Sequence, residues 1–372
     1  MRILIYNWRD LSNPRAGGAE VYTDRVASAL VAAGHDVTLF AAEADGHPAE
    51  ETAAGGYSIV RSGSRHSVYR RARKFWRTRG RGQFDLVIDE INTRPFGCPR
   101  FVSDVPVVAL IHQVCAEVWS YETRWPVSWV GRFVLEPLWL AQYKNVKCVT
   151  VSRSTRDDLV GRGFRFVKVV PEGFDQDVTS CGVPVKNEEP TLVFVGRLAP
   201  SKRPDDAVRV FRILSREWKN LKLLVIGSGP EEQRLRSGVP AGVSVFGRLR
   251  EDEKRELVGK AHVLICTSVR EGWGLVVSEA AQVGTVTCAY DVPGLRDSVL
   301  ASGGMLSRED PVALANVASA ALRRCIAGDM VAQVGGVIPW SGVAVAILEF
   351  ATSGAAERAG ADYVGEPGVL GA

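Results

Sequence analysis

Three short segments of the chain combine glycines with charged side chains in a way that suits a phosphate-bearing, hydroxyl-rich ligand. In the first, Ala16-Gly17-Gly18-Ala19-Glu20, a glycine pair directly precedes a helical pattern. Glycines let the backbone approach a ligand closely, and the first amides of a helix attract anions. We therefore expect Gly17 and Gly18 to face an anion, although a tight turn chosen only for its geometry explains the pair about equally well.

The second segment, Val195-Gly196-Arg197-Leu198-Ala199-Pro200-Ser201-Lys202, follows a strand-like run. Arg197 and Lys202 would lie on a loop at the carboxyl end of that strand. From there both cations can reach a diphosphate and neutralise the charge that develops on a leaving group. Two solvated surface cations are the alternative interpretation of this segment taken alone.

The third segment, Arg270-Glu271-Gly272-Trp273-Gly274-Leu275-Val276-Val277-Ser278-Glu279, places glycines on both sides of an aromatic residue. Its backbone amides should be accessible to a ligand, and Glu279 should fall on the following helix. Carboxylate oxygens accept hydrogen bonds from vicinal hydroxyls, so one glutamate could hold a sugar and the other a ribose. A helix-capping glutamate is the alternative.

Other classes of site find less support in the sequence. Neither G-x-G-x-x-G nor G-x-x-x-x-G-K-[ST] occurs, which argues against nicotinamide cofactors and P-loop chemistry. The seven cysteines are scattered and never form a C-x-x-C pair, so a reducing compartment fits best. No apolar run is long enough to span a bilayer and the first residues read as a strand, so we expect a cytoplasmic protein.

Two series of strand-like runs, each separated by helical patterns, must position these segments. The first series comprises 2–6, 36–40, 85–89, 105–111 and 147–151, and the second comprises 191–195, 222–226, 243–246, 263–266 and 285–288. Alternating strands and helices predict parallel α/β sheets, so the fold class is α/β with two Rossmann-like domains. Ligands of such sheets bind beyond the carboxyl ends of the strands, and two domains would face a central cleft.

The same patterns set the predicted domain boundaries. They are a first Rossmann-like domain at 1–170, a linker at 171–190, a second Rossmann-like domain at 191–338, a helix at 339–350 that returns to the first domain, and a loosely ordered tail at 351–372. The first domain contains the basic excess, with 24 Lys and Arg against 17 Asp and Glu in residues 1–170.

The three motifs in this order, G-G-x-E, G-R-x-x-x-x-K and E-G-x-G-L-x-x-x-E, resemble those of the retaining GT-B glycosyltransferases of family 4. The similarity covers about residues 1–350. It implies a GT-B fold and transfer of a sugar, with retention, from a nucleoside diphosphate sugar to an acceptor hydroxyl. It also implies that residues 1–170 bind the acceptor and that residues 191–338 bind the nucleotide sugar. Arg197, Lys202 and backbone amides would stabilise the departing diphosphate without a metal, so we expect no metal or other cofactor. We favour a UDP-sugar over a GDP-sugar, and a lipid-linked or cell-envelope saccharide or an antibiotic precursor as the acceptor.

The resemblance also implies roles for individual residues. Gly17 and Gly18 would face the donor diphosphate and the acceptor cleft, Arg197 and Lys202 would clamp the diphosphate, and Glu279 would bind the ribose. The donor sugar would contact Glu271 and the amides of Gly272, Trp273, Gly274 and Leu275.

His112, after the apolar run that ends at Ile111, matches the active-site histidine of the family, although a structural histidine is the alternative. The expected catalytic set is therefore His112, Glu271, Arg197 and Lys202. Family members usually have Phe where Trp273 stands.

Two further hypotheses stay open on the sequence alone. A nucleotide-sugar 2-epimerase shares the GT-B shape, and a non-catalytic nucleotide-sugar-binding subunit would retain the same donor residues. Nucleic-acid binding has little support, because residues 171–372 contain 25 acidic and 22 basic residues.

Two segments outside the motifs have unusual compositions. Residues 61–82 contain nine Arg or Lys and no acid, with apolar residues at helical spacing, which predicts a basic amphipathic helix. Such a helix could make a peripheral contact with the inner face of the membrane through its cations, with Phe75 and Trp76 as anchors, or it could be a solvated helix. Residues 119–139 are rich in aromatic side chains, which we expect to pack in a core more than to line an acceptor pocket.

Overall fold

The computed structural model describes residues 1–14, 16–174, 182 and 184–354, and its contacts divide the chain into two compact units. The first unit contains Met1–Val114, Glu136–Gly173 and the residues from Ile338 onward, and the second contains Cys115–Leu135 and Phe174–Val337. The sequence places 115–135 in the first domain, whereas these residues make their contacts with the second unit. Residues 175–181 and 183 of the predicted linker and 355–372 of the predicted tail lie outside the described residues.

The strands alternate with helices along almost the whole described chain. In chain order the strands are β1 Arg2–Tyr6, β2 Asp36–Ala41, β3 Glu50–Thr52, β4 Ser58–Arg61, β5 Leu86–Glu90, β6 Val107–Leu110, β7 Lys147–Thr150, β8 Val167–Val169, β9 Glu172–Phe174, β10 Thr191–Val195, β11 Lys222–Ile226, β12 Val243–Gly247, β13 Val263–Cys266, β14 Val286–Tyr290, β15 Met305–Ser307 and β16 Val337–Pro339.

The helices fill the intervals between these strands. In chain order they are α1 Gly18–Ala32, α2 Val68–Phe75, α3 Val118–Glu122, α4 Val127–Val130, α5 Glu136–Ala141, α6 Arg153–Gly161, α7 Pro204–Leu214, α8 Glu232–Gly238, α9 Glu251–Lys260, α10 Leu275–Gln282, α11 Leu295–Ala301, α12 Pro311–Ile326 and α13 Trp340–Thr352.

The first unit is built on an eight-stranded sheet in the order β3-β4-β2-β1-β5-β6-β7-β8. Neighbouring strands are parallel except for the short β3, which pairs antiparallel to β4. The central strands β1 and β5 have buried apolar residues on both faces, as expected when helices cover a parallel sheet, and β5 ends in two buried acids. Helix α13 packs against α1, with Trp340 edge-on to Tyr22 at 5.5 Å between ring centroids.

The second unit is built on a six-stranded sheet in the order β12-β11-β10-β13-β14-β15, with every pair parallel. One continuous apolar core joins β10, β11 and β13 to the inner faces of α7, α10 and α12. The predicted α/β class with parallel sheets is confirmed, because both sheets follow the predicted series of strands. The strands β3, β4, β8 and β15 were not predicted, since each has only three or four residues.

Only part of the basic segment 61–82 is the amphipathic helix that its composition predicts, because α2 buries its apolar face and exposes its cations whereas the segment begins in β4. Arg61 ends β4 and is buried, with its guanidinium 2.5 Å from carboxylate oxygens of both Asp10 and Glu51. Helix α2 continues into a π-helical turn at Trp76–Gly80. Trp76 is only 1% exposed within the apolar core, so its predicted role as a membrane anchor is wrong.

The aromatic segment contradicts the expectation that its side chains pack in a core. Trp125 is 81% exposed, and Trp129, Phe133 and Tyr121 are also exposed. In the described part of the chain, no helix is both long enough and apolar enough to cross a bilayer.

Truncation of Trp76 tests its place in the core. Trp76→Ala should lower the free energy of unfolding by about 3–5 kcal/mol, because it leaves a large cavity beneath α2. The neighbouring Arg77 is exposed, so Arg77→Ala should change stability by no more than about 0.5 kcal/mol. Urea unfolding of both variants provides the measurement, and equal small effects would contradict the burial of Trp76.

Candidate active site

The charged loops of the second unit follow β10 and β13, two adjacent strands at the point where the strand order reverses. The chain runs outward from β10 through β11 to β12, and then returns to place β13 on the other side of β10. The loop after β10 carries Arg197 and Lys202, and the loop after β13 carries Glu271. Such a reversal leaves a crevice at the carboxyl ends of the strands, which is where open α/β sheets bind ligands.

The loop that carries Arg197 rests on a second glycine-containing loop, which the sequence analysis missed. The amide of Leu198 donates to the carbonyl of Ser228 at 2.9 Å. Gly227 lies so close that a Cβ there would be 1.9 Å from the carbonyl oxygen of Gly196. The Gly-Ser-Gly sequence directly after β11 was the available signal for this loop.

Lys202 and Glu271 form an ion pair between the two loops. The hydroxyl of Ser268 donates to the same carboxylate at 2.7 Å. Thr267 holds the backbone on the lysine side of the ion pair. Its hydroxyl donates to the backbone carbonyls of Lys202 and Arg203 at 2.8 and 2.9 Å. Two predicted site residues are therefore held together by hydroxyl side chains that the sequence analysis did not single out.

The glycine-rich loop that follows Glu271 is shaped by close backbone packing. A Cβ on Gly294, whose φ is +81°, would lie 2.1 Å from the carbonyl oxygen of Glu271. Gly274 adopts the left-handed region, with φ of +92°, where α10 begins. The indole of Trp273 is buried and donates to Ser278 at 2.9 Å.

Glu279 lies on α10 and is paired with Lys254, at 3.0 Å between Oε2 and Nζ. Lys254 also contacts Glu251 at 2.6 Å. Burial lowers the pKa of Lys254, but the charges and hydrogen bonds of Glu279 and Glu251 outweigh burial and raise it. The side chain of Glu279 is half-exposed, so one face of its carboxylate remains open to a ligand.

The segment 115–135 brings two further acids to the cation loops of the second unit. Glu122 contacts the Ser201 hydroxyl at 2.5 Å and the Arg197 guanidinium at 3.8 Å. Glu117 accepts from Nε of Arg270 at 2.9 Å. The sequence analysis missed both acids, because they are some 70 to 150 positions away along the chain.

In the first unit, Glu20 of the G-G-x-E motif lies against the N-terminus of its own helix, α1. The amide of Gly17 donates to Glu20 at 2.6 Å, and the Arg9 guanidinium contacts the other carboxylate oxygen at 2.7 Å. Glu20 is buried, and desolvation raises its pKa even though Arg9 and the Gly17 amide oppose the shift. Gly17 and Gly18 themselves remain exposed at the start of α1.

His112 follows β6 and lies between two buried carboxylates. Its Nε2 is 3.3 Å from Glu90 and its Nδ1 is 3.8 Å from Glu172. Burial alone would lower the pKa of His112, but its hydrogen bonds and charge interactions with Glu172 and Glu90 raise the pKa to about 10. This shift favours the imidazolium form, whose ring N–H groups can donate hydrogen bonds.

A chain of hydrogen bonds connects His112 to the glycine motif. Thr23 donates to Glu90 and accepts from Asn7 at 3.1 Å. Asn92 then donates to Asn7 at 3.0 Å and contacts Glu20 at 3.4 Å. The first unit thus brings His112 into one polar network with the loop that carries Gly17 and Gly18.

The described residues contain no group of three or more His, Cys, Asp or Glu side chains arranged to hold a metal ion. Each unit brings its own predicted residues together. The first unit joins the glycine pair to His112, and the second joins Arg197, Lys202 and Glu271 at one crevice, with Glu279 on the helix that follows.

Similar architectures occur among solved glycosyltransferase structures. Sucrose-phosphate synthase from Thermosynechococcus elongatus matches with a TM-score of 0.73 and 18% identity, over 94% of this chain and 97% of that one. WaaG, a glycosyltransferase involved in lipopolysaccharide biosynthesis, matches with a TM-score of 0.67 and 18% identity, over 94% and 95% of the two chains. Together with the two sheets, these matches show that the chain has a GT-B fold, as predicted.

The sequence comparisons identify the family. Residues 16–178 match the model of Glycosyltransferase Family 4, and residues 180–318 match that of Glycosyl transferases group 1. Glycogen synthase from Mycobacterium tuberculosis is 25% identical over 81% of this chain and 80% of its own length. The 2-deoxystreptamine glucosyltransferase of Streptomyces kanamyceticus is 30% identical over 52% and 55%. The chain belongs to glycosyltransferase family 4, which confirms the resemblance drawn from its three motifs.

The position of His112 between two acids predicts how stability depends on pH. Its pKa is about 10 in the folded protein and about 6.5 in an unfolded chain. Its stabilisation should therefore be complete below about pH 6.5 and disappear as the pH rises towards 10. We expect the difference in unfolding free energy between wild type and His112→Gln to shrink by at least ~1 kcal/mol across that range.

Urea unfolding at several pH values measures this difference. The exposed His66 provides the matched control, because His66→Gln removes an imidazole without touching the network. A difference for His112→Gln that stays constant from pH 6.5 to 10 would contradict the charged state of His112.

Proposed function

We propose that the protein transfers a glycosyl group from a nucleoside diphosphate sugar to an acceptor hydroxyl, with retention at the anomeric carbon. The observation that carries this proposal is the convergence of Arg197, Lys202 and Glu271 at the strand-order reversal of the second unit. The most difficult step of such a transfer is the build-up of charge on the departing diphosphate. Cations and amides already fixed in place can stabilise that charge without reorganisation.

The pairing of Lys202 with Glu271 suits both ends of such a donor. The ammonium has three donors and can bind phosphate oxygens while it remains beside Glu271. The carboxylate can meanwhile accept hydrogen bonds from sugar hydroxyls, and Ser268 holds it in place. Glu279 would bind the ribose hydroxyls through its exposed face, and the amides of residues 272–275 would approach the sugar and the phosphates.

His112 has a different role in this proposal. As an imidazolium held by Glu90 and Glu172, it can donate a hydrogen bond to a substrate oxygen. It is unsuited to remove the acceptor proton, which would pass to the oxygen of the departing phosphate. We assign neither His112 nor Glu271 as a covalent nucleophile, and we propose that departure and attack take place on the same face of the sugar.

A UDP-sugar is the preferred donor, with a GDP-sugar as the alternative. Support comes from the Anabaena protein HepE, whose structure in complex with UDP-glucose matches with a TM-score of 0.65 and 15% identity, over 94% of each chain. For the acceptor we propose a lipid-linked or cell-envelope saccharide or an antibiotic precursor.

The function is tested by following a UDP-sugar with and without candidate acceptors. We expect transfer, or slow donor hydrolysis, with the α-anomer released first from an α-linked donor. Glu271→Gln and Lys202→Ala should lower turnover by at least ~100-fold without loss of fold, because each removes a group beside bound or developing charge. Turnover near the wild-type level in either folded variant would contradict the assignment of the donor site.

We also propose a peripheral contact of residues 61–82 with the cytoplasmic face of the membrane. The cations on and after α2 are exposed, and each contributes about 1 kcal/mol near an anionic surface. Because Trp76 is buried, this contact would depend on charge and would be screened by salt.

Vesicle sedimentation tests this contact. Wild type should pellet with anionic vesicles at low salt and be released completely at moderate salt. Substitution to Ser of five exposed cations, Arg70, Arg71, Arg73, Lys74 and Arg77, should abolish pelleting even at low salt. Absence of wild-type pelleting at low salt would refute the membrane contact.

A further inference from the structure

Three arginines of the first unit gather around two aromatic rings. The guanidinium of Arg9 lies 4.4 Å and that of Arg65 lies 5.6 Å from the ring centroid of Trp8. The guanidinium of Arg94 lies 4.2 Å from the ring centroid of Tyr69. We call Arg9, Arg65 and Arg94 the arginine cluster. Stacking on a ring uses none of the N–H groups of a guanidinium, so these groups remain available to donate hydrogen bonds to an anion.

The rings beneath the cluster are held by the core. Tyr69 lies 5.0 Å from Phe96, and Phe96 stacks on buried Tyr6 at 5.2 Å between ring centroids. Burial raises the pKa of Tyr69 to about 12, although Arg94, Arg65 and Arg9 all act to lower it. The charges of all three arginines therefore act on Tyr69, whose ring packs against the core.

The arginine cluster has an excess of positive charge. Glu20 balances Arg9, and its oxygens also accept from the Gly17 amide and Asn92. Arg65 and Arg94 are exposed, and neither contacts a carboxylate within the described ranges 1–14, 16–174 and 184–354. Two guanidiniums without a carboxylate partner, on a fixed platform, suit a ligand with two negative charges.

The arginine cluster also lies at the ligand-binding edge of its sheet. Trp8 and Arg9 follow β1, Arg65 follows β4 and Arg94 follows β5, and these strands run parallel. His112 follows β6 at the same edge. The hydrogen-bond chain from Arg9 through Glu20, Asn92, Asn7, Thr23 and Glu90 ends at His112.

We propose that the acceptor carries a phosphomonoester, which binds to Arg65 and Arg94 while Arg9 orients the site through Glu20. The inference rests on the proposed function, because it names the chemical class of that acceptor. A phosphomonoester has three terminal oxygens and close to two charges at neutral pH, which matches two forked guanidiniums. A soluble sugar phosphate and a lipid headgroup share this chemistry.

The experiment uses the full chain with saturating UDP, so that the phosphate sites of the second unit are filled. Calorimetry compares glucose 6-phosphate and inorganic phosphate with glucose. A second arm compares pelleting on phosphatidylcholine vesicles with and without phosphatidic acid. The test variant is Arg65→Gln/Arg94→Gln. The control variant is Arg100→Gln/Arg165→Gln, which removes the same charge from exposed positions of the same unit.

We expect saturable binding of a phosphomonoester probe but not of glucose. The test variant should lose at least ~10-fold in affinity, because charge-assisted hydrogen bonds are removed, while the control variant changes by less than ~2-fold. The probe that depends on Arg65 and Arg94 identifies the source as soluble or lipid-borne. An equal loss in the control variant, or no dependence of either probe on the two arginines, would overturn the proposal.

UDP binding and hydrolysis of a UDP-sugar distinguish a failure of this inference from a failure of the proposed function. UDP affinity and slow hydrolysis of a UDP-sugar should stay within ~2-fold of wild type in the test variant, because Arg65 and Arg94 belong to the first unit. Absence of phosphomonoester binding to the wild type, with intact hydrolysis of the donor, defeats only the acceptor inference. Absence of hydrolysis and of transfer in wild type defeats the proposed function.

Discussion

Three buried carboxylates at the carboxyl edge of the first sheet determine how the surrounding residues are arranged. Glu20 and Glu90 are each 1% exposed and Glu172 is 4% exposed. Removing an ionised carboxylate from water costs several kcal/mol unless cations and hydrogen-bond donors compensate it. His112 compensates Glu90 and Glu172, and Arg9 compensates Glu20. The charge of the histidine, the direction of the arginine and the start of α1 all follow from this requirement.

The second unit follows the same physical rule, but there cations need compensation and acids supply it. There the loops after β10 and β13 present cations, and acids from elsewhere in the chain lie beside them. Lys202 contacts Glu271, and Arg197 lies 3.8 Å from Glu122. A diphosphate bound as proposed would contact cations whose charge these acids already compensate in part. The local field is then changed less than it would be around an uncompensated cation.

The sequence predicted the features that depend on local pattern. Apolar runs gave most strands of both sheets, and glycines at strand-to-helix junctions located Lys202 and Glu271. It did not predict features that depend on distant partners or on side-chain direction. Basic composition suggested that Trp76 faces a membrane, yet its helical position directs it into the core. Nothing near Glu122 in the sequence indicates that it contacts Ser201, because only the tertiary fold brings them together.

The path of the chain has a consequence for how this architecture can be altered. Because α13 packs on α1, the residues from Phe174 to Val337 form an insertion between two pieces of the first unit. The ends of the insertion are adjacent, since β9 pairs with β16. The second unit also includes Cys115–Leu135, so its exchange as a cassette needs the junctions of this shorter segment in addition to the two neighbouring junctions of the insertion. A cut at one junction alone would separate α1 from the helix that covers it.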